Sequence, residues 1–417
     1  MEIPVGILHS PLCMVLFALA VRVLYIIVAH SYRLRLYPWH FFEMANLARS
    51  LATGHGFSSP YQVNTGPSAL AAPLYPWVVS LAFRAFGVFS EGAGFAMLVF
   101  NSVFSALTCW TIYRVARRVF NPTVAVWSGW IWAVWPYAIY YSVDWIWETT
   151  LSAFLMSLLL MLTLEMEGDG HLSSWFSYAL VWGTAALTNT AELAWLPFSG
   201  CWLAWQLHRR GRPFLAPVAF GAAVFWMILT PWMVRNYRVF GELVFIRGNF
   251  GNELRAANNP LADGGRVPRY DAGRDPLLLT VWMQIGERAI NAQQAEDAQT
   301  WIAQHPKRFL ELCGRRVILF WAGFPRAGLE RLTRLLYQLS SLLAIGGLAL
   351  ALRRRVHGVF LMATLLAFYP LTYYITVPES RYRHAIEPEL LMLSVFLLWF
   401  LAARVRSGCQ SKDEVLG

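Results

Sequence analysis

The feature that most constrains this chain is a series of apolar stretches, each near the roughly 20 residues needed to cross a bilayer as a helix. They fall at about 11–30, 95–116, 123–142, 146–165, 173–190, 192–207, 214–234, 332–352, 358–377 and 387–403. Backbone polar groups in hydrocarbon must be satisfied inside their own segment, so these stretches predict helices. Composition agrees: 57% of the residues are hydrophobic and only 14% charged, well below the charge of a soluble domain. The predicted fold class is an all-α polytopic membrane protein, a bundle of about ten transmembrane helices. Residues 69–88 are apolar too, but Arg84 and two prolines predict a surface-lying or partly inserted helix there.

Short basic loops give the orientation. Arg114, Arg117 and Arg118 follow the second stretch, and His208, Arg209, Arg210 and Arg212 the sixth. Arg353, Arg354 and Arg355 follow the eighth, and Arg404 and Arg406 the tenth. With both termini cytoplasmic, all four clusters land inside, as the positive-inside rule requires. Arg33 and Arg35 go against the rule, since they land outside. Because the arginines cluster beside apolar spans, membrane topology explains the net charge of +10, and nucleic acid is not an expected partner. The five cysteines have neither metal-site nor disulfide-framework spacing. Residues 11–30 lack a signal peptide's basic start and cleavage site and read as a retained first span.

Two outer segments stand out, 31–94 and about 235–330, the second rich in Gly, Asn and Arg with a helical run near 282–304. The expected organisation is a transmembrane module over 1–236 that includes the first outer loop, an extracytoplasmic region over 237–330, and C-terminal helices with a short tail over 331–417.

Candidate chemistry gathers at the outer ends of the spans. At 3.6 residues per turn, residues 39–52 form an amphipathic helix, with Trp39, His40, Asn46, Leu47 and Ser50 on the side of Glu43 and Phe41, Met44, Ala45, Ala48, Leu51 and Ala52 opposite. Such a helix is expected at a membrane surface, and no Lys or Arg within a turn on that side balances Glu43. A solvated acidic face is the plain alternative to a general base. His40, one turn back, is placed to bond Glu43, help bind a metal or contact phosphate. Asp144 and Glu148, four apart, share a helical face at the start of the fourth stretch; capping suits Asp144, whereas Glu148 lies deeper, where an ionisable group implies function. Arg22 within the first stretch either snorkels or pairs with an anion. Arg235, Asn236 and Tyr237 emerge at headgroup level, either as interfacial anchors or as phosphate ligands. Arg381, Tyr382, Arg383 and His384 form a basic cluster on the outer side, against the charge rule, and an anionic group such as a lipid phosphate would account for it.

Together these motifs resemble the GT-C class of membrane glycosyltransferases. The chain is similar to the protein O-mannosyltransferases and aminoarabinose transferases, in the manner of glycosyltransferase family 39, and most like bacterial members of that group. The matching pieces, in family order, are EMANLARSLATGHGFSSPY with TGPSALAAPLYPWVVSLAFRAFG, NSVFSALTCWTIYRVARRVF, DWIWETTLSA, TPWMVRNYRVFGELVFIRGNFGNELRAANNP, HPKRFLELCGRRVILFW and RYRHAIEP. The resemblance implies transfer of a sugar from a polyprenyl-phosphate donor to a lipid, glycan or protein acceptor at the extracytoplasmic face of a bacterial inner membrane. It also implies an acidic general base in the first outer loop. Many members place an Asp where this chain has His40, so the role passes to Glu43, the nearest carboxylate on that face. Arg235, Arg381 and Arg383 then neutralise the leaving phosphate, and Glu148 supports the site with His40, Asp144, Asn236 and Tyr382. Some relatives bind a divalent metal, and nothing in the sequence fixes a site for one. No GxGxxG or Walker pattern calls for a nucleotide. The other classes compatible with these features are a lipid or glycan transporter and a polymerase or ligase of lipid-linked glycans.

Overall fold

The structure, a computed structural model, describes residues 9–35, 39, 43–323 and 330–413, with side chains for all of these except 330–333 and 406–413. Among them the chain is helical, without a strand; only an isolated bridge joins Ser58 and Pro67. The bundle comprises α1 (Pro11–Ala29), α2 (Glu43–Ala52), α3 (Leu74–Phe86), α4 (Glu91–Val119), α5 (Pro122–Val134), α6 (Pro136–Val143), α7 (Thr149–Glu165), α8 (Leu172–Thr188), α9 (Leu196–Arg209) and α10 (Leu215–Phe240). An outer segment follows, with α11 (Phe250–Ala257), α12 (Pro276–Gln304) and α13 (Pro306–Ala322). The chain then returns through α14 (Glu330–Arg353), α15 (Val359–Phe368), α16 (Leu371–Ile375), α17 (Ser380–His384) and α18 (Glu387–Asp413).

The ends of these helices follow from local sequence. Ser90 caps α4 by accepting from the Ala93 amide, Asn121 caps α5 through Val124, and Asp275 caps α12 through Leu277 and Leu278. Helix α4 is central. It packs on α1, α3, α5, α6, α7 and α18, and its buried Ser102, Ser105, Ala106, Thr108 and Cys109 keep side chains small where neighbours approach.

Among the described residues five helices are long and apolar enough to cross a membrane: α1, α4, α10, α14 from Arg334, and α18 as far as Val405. The chain is therefore a multi-pass membrane protein. The remaining apolar stretches are shorter or broken. Residues 123–142, expected as one span, divide at Trp135–Pro136 because proline supplies no amide to the helix ladder. The carbonyls of Trp132 and Ala133 at that break accept from Arg22, whose Nε also donates to Ser105 Oγ at 3.0 Å. Arg22 is fully buried and does not snorkel; it satisfies backbone that the proline leaves open. The stretch 358–377 breaks at Pro370 in the same way. Helix α3, within 69–88, has 13 residues and rises about 20 Å, short of the ~30 Å hydrocarbon core.

Two of the four basic clusters, and His357 just after a third, converge on one loop. The buried Glu167 accepts from His357 at 2.8 Å and from Trp202 Nε1 at 3.1 Å, with Arg118 at 3.5 Å, while Arg210 and Arg212 donate to the carbonyls of Glu167 and Gly168. The loops that the charge rule assigned to one side do lie together.

Helices α14 and α18 touch at Gly347, where an added Cβ would stand 2.1 Å from the Leu393 carbonyl oxygen. Backbone cannot yield as a flexible side chain does. Gly347→Ala is expected to cost about 1–3 kcal/mol, read as a lower thermal midpoint of the purified protein in detergent. An unchanged midpoint would show that the helices are not so closely apposed.

Candidate active site

The site is built where the first outer loop meets the outer segment and the turn before α18. Helix α2 begins at Glu43 and was expected at the membrane surface, with Glu43 either facing a cavity as a general base or on a solvated face. Its amphipathic pattern is present, but Asn46, Leu47 and Ser50 on the polar side are as buried as Met44, Ala45 and Ala48. Helix α3 packs on α2, and the 271–275 turn reaches the Glu43 end, so protein covers the side that periodicity assigns to solvent. A Cβ on Gly273 would lie 3.6 Å from Glu43 Oε1, which puts that carboxylate directly under the turn. Burial, and then the neighbouring Asp271, push the Glu43 carboxyl up to about 7, while Arg381 and Arg266 pull the other way.

Arg266 is the hub of the charged network. It reaches Glu253 at 2.7 Å, Glu379 at 3.3 Å and Asp271 at 3.5 Å. Burial alone would lower its pKa, but Glu253 and Glu379 hold it well above the ordinary value. Arg381 shares Glu379, at 2.8 Å, and its guanidinium stacks on Trp147 at 4.5 Å and Tyr382 at 5.0 Å. Burial likewise opposes the Arg381 charge, and Glu379, Tyr382, Glu148 and Glu43 together overcome this and raise its pKa. Its Nε has no partner. Glu148 is buried, with one carboxylate oxygen unpartnered, inside the field of Arg381 and Arg247.

Beside this network is a cavity of about 170 Å³, lined by Asn189, Thr190, Arg247, Asn249, Glu253, Tyr373, Thr376 and Tyr382 among others. Tyr382 stacks on Tyr373, with ring centroids 4.3 Å apart and planes 11° from parallel. Arg247 donates through Nε to the Leu70 carbonyl at 3.2 Å.

Of the residues singled out from sequence, Glu43, Glu148, Arg381 and Tyr382 come together here. The others go elsewhere. Arg235 donates to the carbonyls of Ser68 and Phe57, each at 2.7 Å, and sits against the rings of Trp232, Phe57 and Phe240. Asn236 holds the carbonyl of Val244. The pair fastens the first outer loop to the end of α10, and the two terminal Arg235 nitrogens are already engaged by backbone. Arg383 points into the contact between α14 and α18, where it meets Glu387 at 3.3 Å, Ser340 Oγ at 2.6 Å and the Tyr337 carbonyl. Asp144 faces Tyr25 of α1. His384 is buried between Trp132 and Tyr141. His40 lies outside the described residues.

Sequence reasoning missed Arg247, Glu253, Arg266, Asp271 and Glu379. Arg247 and Glu253 sat inside a quoted piece and Glu379 beside the basic cluster, while Arg266 and Asp271 lie in a polar segment whose irregular backbone carries no periodicity to mark them. It also missed Glu287, whose Oε1 accepts from the Ala69 amide at 2.6 Å and whose carboxyl burial pushes up to about 7. Among the described residues no group of three or more His, Cys, Asp or Glu side chains is arranged to hold a metal.

Comparison with known proteins adds a family and a fold. The family described as dolichyl-phosphate-mannose-protein mannosyltransferase matches residues 70–234. No curated protein matches the sequence. Among solved structures, the oligosaccharyltransferase AglB of Archaeoglobus fulgidus, in complex with an inhibitory peptide and a dolichol-phosphate, superposes with a TM-score of 0.55 at 13% identity, covering 96% of this chain and 52% of that one. The same enzyme in complex with Zn and sulfate gives 0.51 at 13% identity, over 88% and 45%. ArnT from Cupriavidus metallidurans, bound to undecaprenyl phosphate, gives 0.36 at 14% identity over 90% and 77%, a looser likeness from which nothing is drawn. The chain spans about half the length of the oligosaccharyltransferase chains. Over the half of the oligosaccharyltransferase chain that it covers the fold is similar, and with the family match the chain is similar to the GT-C class of membrane glycosyltransferases.

Proposed function

We propose that the protein is a membrane glycosyltransferase that moves a sugar from a polyprenyl-phosphate donor to an acceptor at the extracytoplasmic face of a bacterial inner membrane. The observation that carries this reading is the meeting of Glu43, raised toward neutrality, with Arg381 in one charged cluster beside a polar cavity. Glu43 takes the proton of an acceptor hydroxyl as that oxygen bonds to the anomeric carbon. The carbon–oxygen bond to the phosphate breaks in the same step, and its electron pair leaves with the polyprenyl phosphate. A single displacement inverts the anomeric centre. The phosphate gains a negative charge as it departs, so cations already in place favour the transition state over the bound donor. Arg381 takes that role, joined by Arg247, whose terminal nitrogens have no hydrogen-bond partner among the described residues. Glu148, which feels both charges, offsets the mutual repulsion of the two guanidinium groups. Arg235 and Arg383 are released from the phosphate role because backbone and Glu387 occupy them.

The test is reconstitution in liposomes with polyprenyl-phosphate sugars and analysis of the products. Arg381→Ala and Arg247→Ala are each expected to raise the donor KM about 10- to 100-fold, the worth of one or two charge-assisted hydrogen bonds. Unchanged donor affinity in both variants would remove these arginines from the phosphate site. Lipid-linked substrate crossing the vesicle membrane without any glycosyl product would instead favour a transporter.

A further inference from the structure

Helix α12 is two helices in one. Gly286 breaks it with φ 84° and ψ 164°, a conformation L side chains rarely adopt, and the two halves differ in character. From Pro276 to Ile285 the sequence is PLLLTVWMQI, without a single charge; from Glu287 onward it is polar. Trp282 turns inward and meets Tyr61 edge-on at 5.4 Å. Leu277, Val281 and Ile285, spaced four apart, form an exposed stripe beside it, Leu277 at 79%, and Leu277 and Val281 share a groove with Arg269 and Asp297. Met283 is exposed as well.

The position of this stripe is fixed by what lies next to the break. Arg288 bonds Glu242, which follows the end of spanning helix α10, and donates to the Gly248 carbonyl at 3.0 Å. The break therefore lies beside the outer end of α10. The apolar surface of α10 continues through exposed Val234, Tyr237, Leu243 and Phe245 toward the same place. Just before the apolar half, Arg269 and Arg274 are exposed. An uncharged, outward apolar stripe with arginines at its start, beside the end of a span, has the anatomy of an interfacial helix.

We infer that the first half of α12 lies in the interfacial layer of the leaflet bordering the Glu43 site, with the Leu277–Val281–Ile285 stripe among acyl chains and Arg269 and Arg274 among anionic headgroups. The same segment is continuous with the 271–275 turn that covers Glu43, so bilayer contact holds that cover in place. This inference needs only the membrane fold and stands apart from the glycosyl-transfer reading.

The experiment uses the full-length wild-type protein in nanodiscs of phosphatidylglycerol and phosphatidylethanolamine doped with a phospholipid carrying a photoactivatable diazirine on its acyl chain. After irradiation, trypsin cuts after Arg274 and Arg288, which isolates residues 275–288, and the next fragment, 289–307, is an internal control. Lipid adducts are expected to be at least about fivefold denser on 275–288 than on 289–307. A water-soluble diazirine should give the reverse order. Equal lipid labelling of the two fragments, or strong aqueous labelling of 275–288, would overturn the inference. So would protection of 275–288 from both reagents, because a protein surface would then cover the stripe. Leu277→Asp with Val281→Asp should abolish the excess of lipid adducts while leaving Trp282 and its packing unchanged; an excess that survives would also overturn it.

Discussion

Glu43→Gln is expected to lower the rate of glycosyl transfer about 10²- to 10⁴-fold, the usual contribution of a positioned general base, with donor binding close to that of the parent. Glutamine keeps the size and hydrogen-bonding reach of the side chain, so the 271–275 turn can stay where it is. What disappears is the ability to take a proton. If the carboxylate only completed the charged network, the amide would be tolerated and the rate would fall by little. The pH profile gives a second readout. Burial and Asp271 place the Glu43 carboxyl near 7, and a base works only when ionised. The transfer rate should therefore rise with pH, with unit slope below about 7, and level off above it. Asp271→Asn removes the negative neighbour that raises the Glu43 pKa, so its profile should shift toward lower pH, with a smaller change in the plateau. A parental profile in Asp271→Asn, or a rate in Glu43→Gln within a few fold of the parent, would rule out the base assignment.

How much of this was legible in the sequence depends on whether a residue's partner is near it in the chain. The helical fold was legible because apolar run length and the basic loops are local signals. Arg118, Arg210, Arg212 and His357 then meet at Glu167, as their common side implies. Helix breaks were harder to read. Pro136 and Pro370 stand in plain view, but an apolar run reads as continuous until the geometry shows which carbonyls lose their amides. The site was half legible. Glu43, Glu148 and Arg381 could be singled out because a carboxylate or guanidinium at the edge of an apolar run stands out. Asp271, Glu253 and Arg266 could not, because in a polar segment one more charge is unremarked until folding places it against Glu43 or Glu379. The periodicity of α2 marked its polar side correctly but not the covering turn, which comes from residues more than 200 positions later. Arg235 shows the converse. An arginine at headgroup level reads equally well as an anchor or a phosphate ligand, and only the carbonyls of Phe57 and Ser68 decide between them.

Arg383 allows the sharpest separation of structural from functional arginines. It and Glu387 lie on successive turns, both fully enclosed between α14 and α18, with Ser340 and the Tyr337 ring completing the enclosure. Removing one member of a buried pair leaves the other charge without compensation, which costs about 3–5 kcal/mol, whereas replacing both with apolar residues of similar volume is often neutral or better. Arg383→Met is therefore expected to lower the thermal midpoint of the protein in detergent severely, to the point of poor recovery. Arg383→Met combined with Glu387→Met should regain most of the loss, with donor KM near the parental value. Arg381→Met should behave in the opposite way. Its partners Glu379 and Tyr382 face the cavity network, where Arg266 still neutralises Glu379, so the midpoint should fall less while donor affinity is lost. If Arg383→Met kept the parental midpoint and lost donor affinity, the phosphate would belong to the α18 entrance, and the buried pair would be a ligand site. The double-mutant cycle distinguishes the two outcomes directly, because a structural pair couples in stability and a ligand-binding arginine couples in affinity.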